Sequence, residues 1–116
     1  MKGVKGQTEL LVRERCVKSF LDVIVASVLA ERPSWGYDII AQIHGKLHVL
    51  LSPGTVYPVL HSMEARGLVS RRREGRRETF YLTERGANWF AEVLEASRRE
   101  HADFLQNYLQ RILDKI

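Results

Sequence analysis

The chain has 116 residues, 45% of them apolar and 28% charged, with a net charge of +4 and a pI near 9.5. That length suits one domain with room for an appended element, and the apolar share is enough for a buried core. The single cysteine, Cys16, excludes an intrachain disulfide. The apolar stretch from Phe20 to Ala30 is interrupted by Asp22 and Ser27 and is too short to span a bilayer. It also lacks a small-residue cleavage pattern, so it does not read as a signal peptide, and a cytoplasmic location with no membrane partner is expected.

The charge is unevenly spread. Residues 1–19 hold five Lys/Arg against two Glu, and residues 64–83 hold six against three. The segments 20–63 and 84–116 are each slightly acidic. Two basic patches, one at the N-terminus and one around Arg71 to Arg77, suit an anionic partner.

In chain order, residues 1–7 read as a flexible arm with two glycines and two lysines, and Thr8 can cap a short helical entry from Glu9 to Arg15. The whole N-terminal arm is set at 1–16. From Val17 to Glu31, the residues Phe20, Leu21, Ile24, Val25, Val28 and Leu29 recur at helical spacing. Pro33 ends that helix. A second helix is expected from Ser34 to Trp35 onward, with Ile39, Ile40 and Ile43 as its buried stripe and Gly45 near its end. His44 to Leu51 form a connector. Ser52-Pro53 places a capping hydroxyl before a proline at the first helical position of a third helix. Val56, Leu60 and Met63 face its core side, Pro58 removes one internal hydrogen bond, and Gly67 is the natural residue just past its end.

Two extended segments, Leu68 to Arg73 and Glu78 to Thr83, flank a glycine turn and read as a β-hairpin. Glu84 to Ile116 contains no proline, and Thr83 can cap it. Along it Phe90, Val93, Ser97, His101, Phe104, Tyr108 and Ile112 follow a near-heptad seam that Leu94 and Leu105 widen. Thirty helical residues run about 45 Å, further than a small domain reaches, so this apolar side needs a partner and a homodimer is inferred. The order helix, helix, helix, hairpin, long helix defines a mainly α fold with a small β wing, the winged helix-turn-helix. Residues 17–83 form its DNA-binding domain and 84–116 a C-terminal dimerisation helix. In such folds the third helix enters the major groove and the wing lies along the backbone or minor groove.

Four stretches carry a family resemblance. They are Trp35-Gly36-Tyr37-Asp38-Ile39, Ser52-Pro53-Gly54-Thr55-Val56-Tyr57-Pro58-Val59-Leu60, Met63-Glu64-Ala65-Arg66-Gly67-Leu68-Val69 and Phe80-Tyr81-Leu82-Thr83-Glu84-Arg85-Gly86. In this order they resemble the PadR family of transcriptional regulators, over residues 18 to about 100. The resemblance implies a homodimer joined by the C-terminal helix, repressor activity and operators with two-fold symmetry. Some relatives bind flat aromatic compounds near the dimer interface, which makes a small aromatic effector an additional partner to consider. Trp35 and Trp89 are the residues able to stack on one, although core or interface packing is the preferred reading of both. The wing is shorter than in many relatives, and the segment before Val17 lies outside the shared core.

On the third helix Gly54, Pro58, His61, Ser62 and Ala65 point outward, with Thr55 and Tyr57 on the flanks. Thr55, His61 and Ser62 are candidates for base edges. Tyr57 and the exposed amides from Ser52 to Thr55 suit phosphate. This face has no Lys or Arg before Arg66, which argues against dense guanine readout. On the wing the cluster of Arg71, Arg72, Arg73, Arg76 and Arg77 suits phosphate, with Arg72, Arg73, Arg76 and Arg77 as the DNA-binding candidates and Arg76 and Arg77 at the tip weighted most. The alternative is a solvated hairpin in which Glu74 and Glu78 pair with these arginines. Alternation puts Arg71 and Arg73 on one face and Arg72 on the other. Lys2, Lys5, Arg13 and Arg15 are further basic residues of the arm.

The inventory lacks a nucleophile elbow, a P-loop, a paired metal motif and a dinucleotide fingerprint, so neither an enzyme nor a cofactor is expected. His44 and His48 lie four apart, but no third ligand is near in sequence and no metal is expected. Cys16 reads as a structural thiol. A sequence-neutral architectural DNA binder and a winged-helix protein-interaction module remain as alternatives.

Overall fold

The computed structural model describes residues 2–116, with side-chain surroundings from residue 6 onward. Helix α1 spans Lys2–Ser19. The expected flexible arm over residues 1–7 is therefore helical from Lys2, while Met1 and the side chains of Lys2 and Lys5 lie outside the described residues. Once the helix formers from Glu9 to Arg15 nucleate, each added residue closes one more hydrogen bond, which outweighs the glycine cost of about 1 kcal/mol.

Helix α2, Leu21–Glu31, follows after a break at Phe20 (φ −113°, ψ 27°), so the run from Val17 to Glu31 is not one helix. The break coincides with a tertiary contact, since the Phe20 ring meets His101 edge-on at 4.7 Å. Leu21, Val23, Val25, Ala26, Val28 and Leu29 are all buried, more than one stripe requires. Four helices and a strand pack around α2, which makes it the centre of the core.

Ser34–Trp35 form a short strand, β1, rather than the start of a helix. β1 pairs antiparallel with β3, Arg77–Leu82, through Ser34↔Phe80 and Trp35↔Thr79. That pairing spans more than forty residues of sequence and has no local signature, which is why periodicity missed it. β3 also pairs with β2, Val69–Glu74, so the hairpin belongs to a three-stranded sheet ordered β1-β3-β2. Its loop is Gly75-Arg76, closed by Glu74↔Arg77. Gly75 takes φ 63°, which suits a tight primed turn matched to strand twist.

Helix α3, Gly36–Leu47, runs through Gly45 and stops at His48, a left-handed cap at φ 58° whose amide bonds to the His44 carbonyl at 2.9 Å. The first half of the expected connector from His44 is thus helical, and it is Val49 and Leu51 that enter the core. Helix α4, Pro53–Ala65, continues through Pro58. Its end is a Schellman motif: Leu68 N–H bonds to the Met63 carbonyl at 2.9 Å and Gly67 N–H to the Glu64 carbonyl at 3.0 Å. Gly67 sits at φ 75°, where only glycine is unstrained.

Helix α5, Glu84–Asp103, is capped by Thr83, whose hydroxyl oxygen accepts from Gly86 N–H at 3.0 Å. The tail continues through a π-helical segment, Phe104–Leu109, into α6, Gln110–Lys115. Each π turn holds an extra residue, so the near-heptad seam expected through Ile112 is rotated past Leu109. Within that segment the rings of Phe104 and Tyr108 stack at 5.6 Å. The core gathers Val25, Val28, Ile39, Ile43, Val56, Leu60, Met63, Val69 and Phe80, each essentially inaccessible.

Candidate nucleic-acid interface

Helix α4 lies on the core through Val56, Leu60 and Met63 and turns its other side to solvent. Ser52, Gly54, Pro58, His61 and Ser62 are exposed, and Thr55 and Tyr57 are half-buried. Ser52 makes no side-chain cap bond to an amide. Its hydroxyl instead meets the Thr55 hydroxyl at 3.1 Å, while its carbonyl accepts from the Thr55 and Val56 amides. The expected side-chain cap is therefore absent, because a neighbouring hydroxyl takes that oxygen.

The wing arginines separate by face. Arg71↔Phe80 and Arg73↔Glu78 share the face that looks toward α4, and Arg72↔Thr79 and Glu74↔Arg77 share the opposite one. Arg71 is held between Glu64 at 3.0 Å and Glu78 at 2.9 Å. Arg72 is paired with Glu74 at 2.7 Å, with its guanidinium over the Tyr81 ring. Arg77 stacks on the Trp35 indole, 4.2 Å from the ring centroid. Arg73 donates only to the Gly75 carbonyl at 3.3 Å, and Arg76 has no side-chain partner among the described residues.

A chain of rings joins the wing to α4. Trp35 lies 5.9 Å from Tyr37, Tyr37 6.3 Å from Tyr57, and Tyr57 6.2 Å from His61. Gly36 makes this possible, because a side chain there would occupy the Tyr57 phenol. An open cleft of about 350 Å³ lies beside these rings, lined by Tyr37, Tyr57, Arg73, Arg76 and Glu78 together with the stacked Trp35 and Arg77. Partial burial, then the neighbouring Tyr37 and Glu78, push the Tyr57 phenol above its ordinary pKa, so it stays protonated and able to donate.

Sequence reasoning assigned no role to Tyr37, although it stands in the Trp35-Gly36-Tyr37 motif and is 56% exposed. Glu74 and Glu78 were readable as partners within the hairpin, and they pair with Arg72 and Arg71, whereas Glu64, which reaches Arg71 from α4, had no local signal. Trp89 packs against the core edge, with the Arg66 guanidinium 5.3 Å from its ring. Arg13 and Arg15 are exposed on α1.

Along the tail, Phe90 packs against its own core and His101 against its own Phe20. Val93 and Ser97 are half-buried. Leu94, Phe104, Leu105, Tyr108 and Ile112 are exposed, as are Leu10, Leu11 and Val12 of α1.

Three helices, a hairpin wing and a long tail helix make this a winged helix-turn-helix protein of the kind found among transcriptional regulators. Residues 25–92 match the transcriptional regulator PadR-like family, and the chain belongs to it. It is 32% identical over 78 residues to the transcriptional regulator YqjI of Escherichia coli, a match covering 65% of this chain and 38% of that protein. A transcriptional regulator from Clostridium thermocellum superposes with a TM-score of 0.73 at 21% identity, over 81% of this chain and 95% of that one. A PadR-like transcription factor from Bacteroides fragilis gives a TM-score of 0.66 at 26% identity, over 82% of this chain and 95% of that one. Among the described residues no helix is long and apolar enough to cross a membrane.

Proposed function

We propose that the chain binds duplex DNA sequence-specifically as a homodimer and represses transcription. Residues 17–83 are the reading head, residues 84–116 the clamp between two copies, and residues 1–16 an N-terminal extension. The observation that carries the DNA reading is the pair of uncompensated guanidinium groups, Arg73 and Arg76, beside the exposed side of α4. Thr55, His61 and Ser62 meet base edges, and Ser52, Gly54, Tyr57 and Pro58 lie along the backbone. Arg77 contributes positive potential from the outer face of the wing, where Glu74 offsets the charge of Arg72. The exposed apolar tail supports the homodimer, since Phe104, Leu105, Tyr108 and Ile112 need cover. Two heads held about 34–36 Å apart match half-sites one helical turn apart. An effector that altered this spacing would shift the population away from the binding form.

The test is selection of bound fragments from random duplex DNA, followed by gel shifts across a salt series and a reporter gene placed behind the selected site. An enriched two-fold site and lower reporter output support the proposal. A sequence-neutral binder is the second reading, favoured by the absence of Lys and Arg on the outward side of α4 before Arg66. Competition between the selected site and random duplex separates the two.

A further inference from the structure

We infer that the cleft between the wing and the start of α3 is a seat for a DNA backbone phosphate, and that Tyr37 supplies one of its donors. The inference rests on the DNA-binding reading above and adds residues that reading does not contain.

The chemistry of the cleft is one-sided. Tyr37 and Tyr57 bring two phenols, and Arg73 and Arg76 bring two guanidinium groups. The sole carboxylate in the lining is Glu78, and the Arg71 guanidinium holds it at 2.9 Å. Donors therefore outnumber free acceptors, and an incoming oxyanion meets no unpaired negative charge. The cleft has charge from the wing and neutral donors from α3 and α4, a combination that suits a phosphodiester rather than a base edge. Tyr57 remains protonated through the physiological range, because burial and its neighbours oppose its ionisation.

The joint that holds the cleft open is equally specific. Trp35 pairs with Thr79 on β3 and carries the Arg77 guanidinium on its indole. The next residue, Gly36, admits the Tyr57 phenol of α4, and the next, Tyr37, touches both rings. Three consecutive residues thus fix the wing against α4, and Trp35 acts as the positioning residue. Arg77 is the strut of that joint, whereas Arg73 and Arg76 face the ligand. Arg71 and Arg72 are excluded as ligand groups because carboxylates already hold them.

The test uses the full chain and a fluorescein-labelled 40-base-pair mixed-sequence duplex, with polyglutamate of similar length as a competing polyanion. Tyr37→Phe removes one hydroxyl from an exposed side chain and leaves the ring stack in place. We expect it to weaken duplex binding about three- to tenfold without changing the salt slope, since a neutral donor releases no counterion. Arg73→Ala and Arg76→Ala should each lower the slope of log K against log salt by about 0.9. In a Trp89→Phe background, the emission of Trp35 should change on adding duplex, and Trp35→Phe should retain more affinity than Trp35→Ala. Wild-type affinity in Tyr37→Phe, alongside a lowered slope in Arg76→Ala, overturns the phosphate seat while leaving DNA binding intact. Polyglutamate that displaces the duplex at equal charge points to an acidic protein segment and also overturns it. A wild-type chain that binds no duplex at any salt would remove the DNA reading itself.

Discussion

The side chain that Gly36 lacks would stand where the Tyr57 phenol lies. One empty position at the start of α3 therefore admits a ring from α4, and through it the wing root and the outward-facing helix share one joint.

Gly36→Ala should be destabilising by about 1–3 kcal/mol, the usual cost of forcing atoms into filled space. Tyr57→Ala alone should cost less, because the ring is only half-buried. Combined, the two should fall well short of additive, since removing the ring vacates the space that the new methyl needs. Urea denaturation of the two single variants and the double variant measures the coupling. Simple additivity would mean that the phenol does not occupy that space.

Thr83 joins two parts of the fold that are distant in sequence. Its hydroxyl donates to the Gly67 carbonyl at 2.7 Å, accepts from Gly86 N–H at 3.0 Å, and has the Leu68 carbonyl 3.0 Å away. Thr83→Ala removes a cap and leaves a carbonyl short of a donor, so a loss of about 1–2 kcal/mol is expected. Gly86→Ala should be worse than Thr83→Ala, because the added methyl meets the Leu68 backbone carbonyl. Thermal denaturation of the two variants gives that ranking or refutes it.

Arg71 and Arg76 are both exposed wing arginines, yet they should behave differently. Arg71 is already paired with Glu64 and Glu78. Arg71→Ala should leave the salt dependence of duplex binding nearly unchanged, and Arg76→Ala should reduce its slope by about 0.9. Titration of labelled duplex at several potassium chloride concentrations separates them, and equal slopes would contradict the sorting by carboxylate pairing.

The proposed homodimer is tested through the exposed tail. Leu105 is 57% exposed and Leu113 61% exposed in the single chain. Changing both to Glu should convert a dimer into a monomer at micromolar concentration while leaving the secondary structure of the head intact. Sedimentation velocity with circular dichroism checks this, and an unchanged dimer would move the contact elsewhere.

Tyr57 provides a pH signature. Its folded-state pKa is raised, chiefly by burial, so the folded chain holds this proton more tightly than the unfolded one. The resulting stability is complete below the ordinary tyrosine pKa and is lost as pH climbs through the raised value. Tyr57→Phe should therefore flatten part of the alkaline decline in stability. Parallel declines in wild type and variant would count against it.

Much of the architecture was legible in the residues. The stripes Ile39, Ile40, Ile43 and Val56, Leu60, Met63 named the buried faces of two helices, because a helical period converts spacing into direction. Gly67 marked the end of α4 and Thr83 the start of α5 by local backbone chemistry. The hairpin and its glycine turn were also readable, apart from an offset of about one residue at each strand. What sequence could not supply was contact between distant positions. The pairing of Ser34–Trp35 with β3, the seat of Tyr57 over Gly36 and the capture of Arg71 by Glu64 all join separate elements. Local pattern specified which faces were apolar and where helices stop, since those depend on neighbours within a turn. Which arginines stay free, and which aromatic rings stand beside them, was settled only when packing chose the partners.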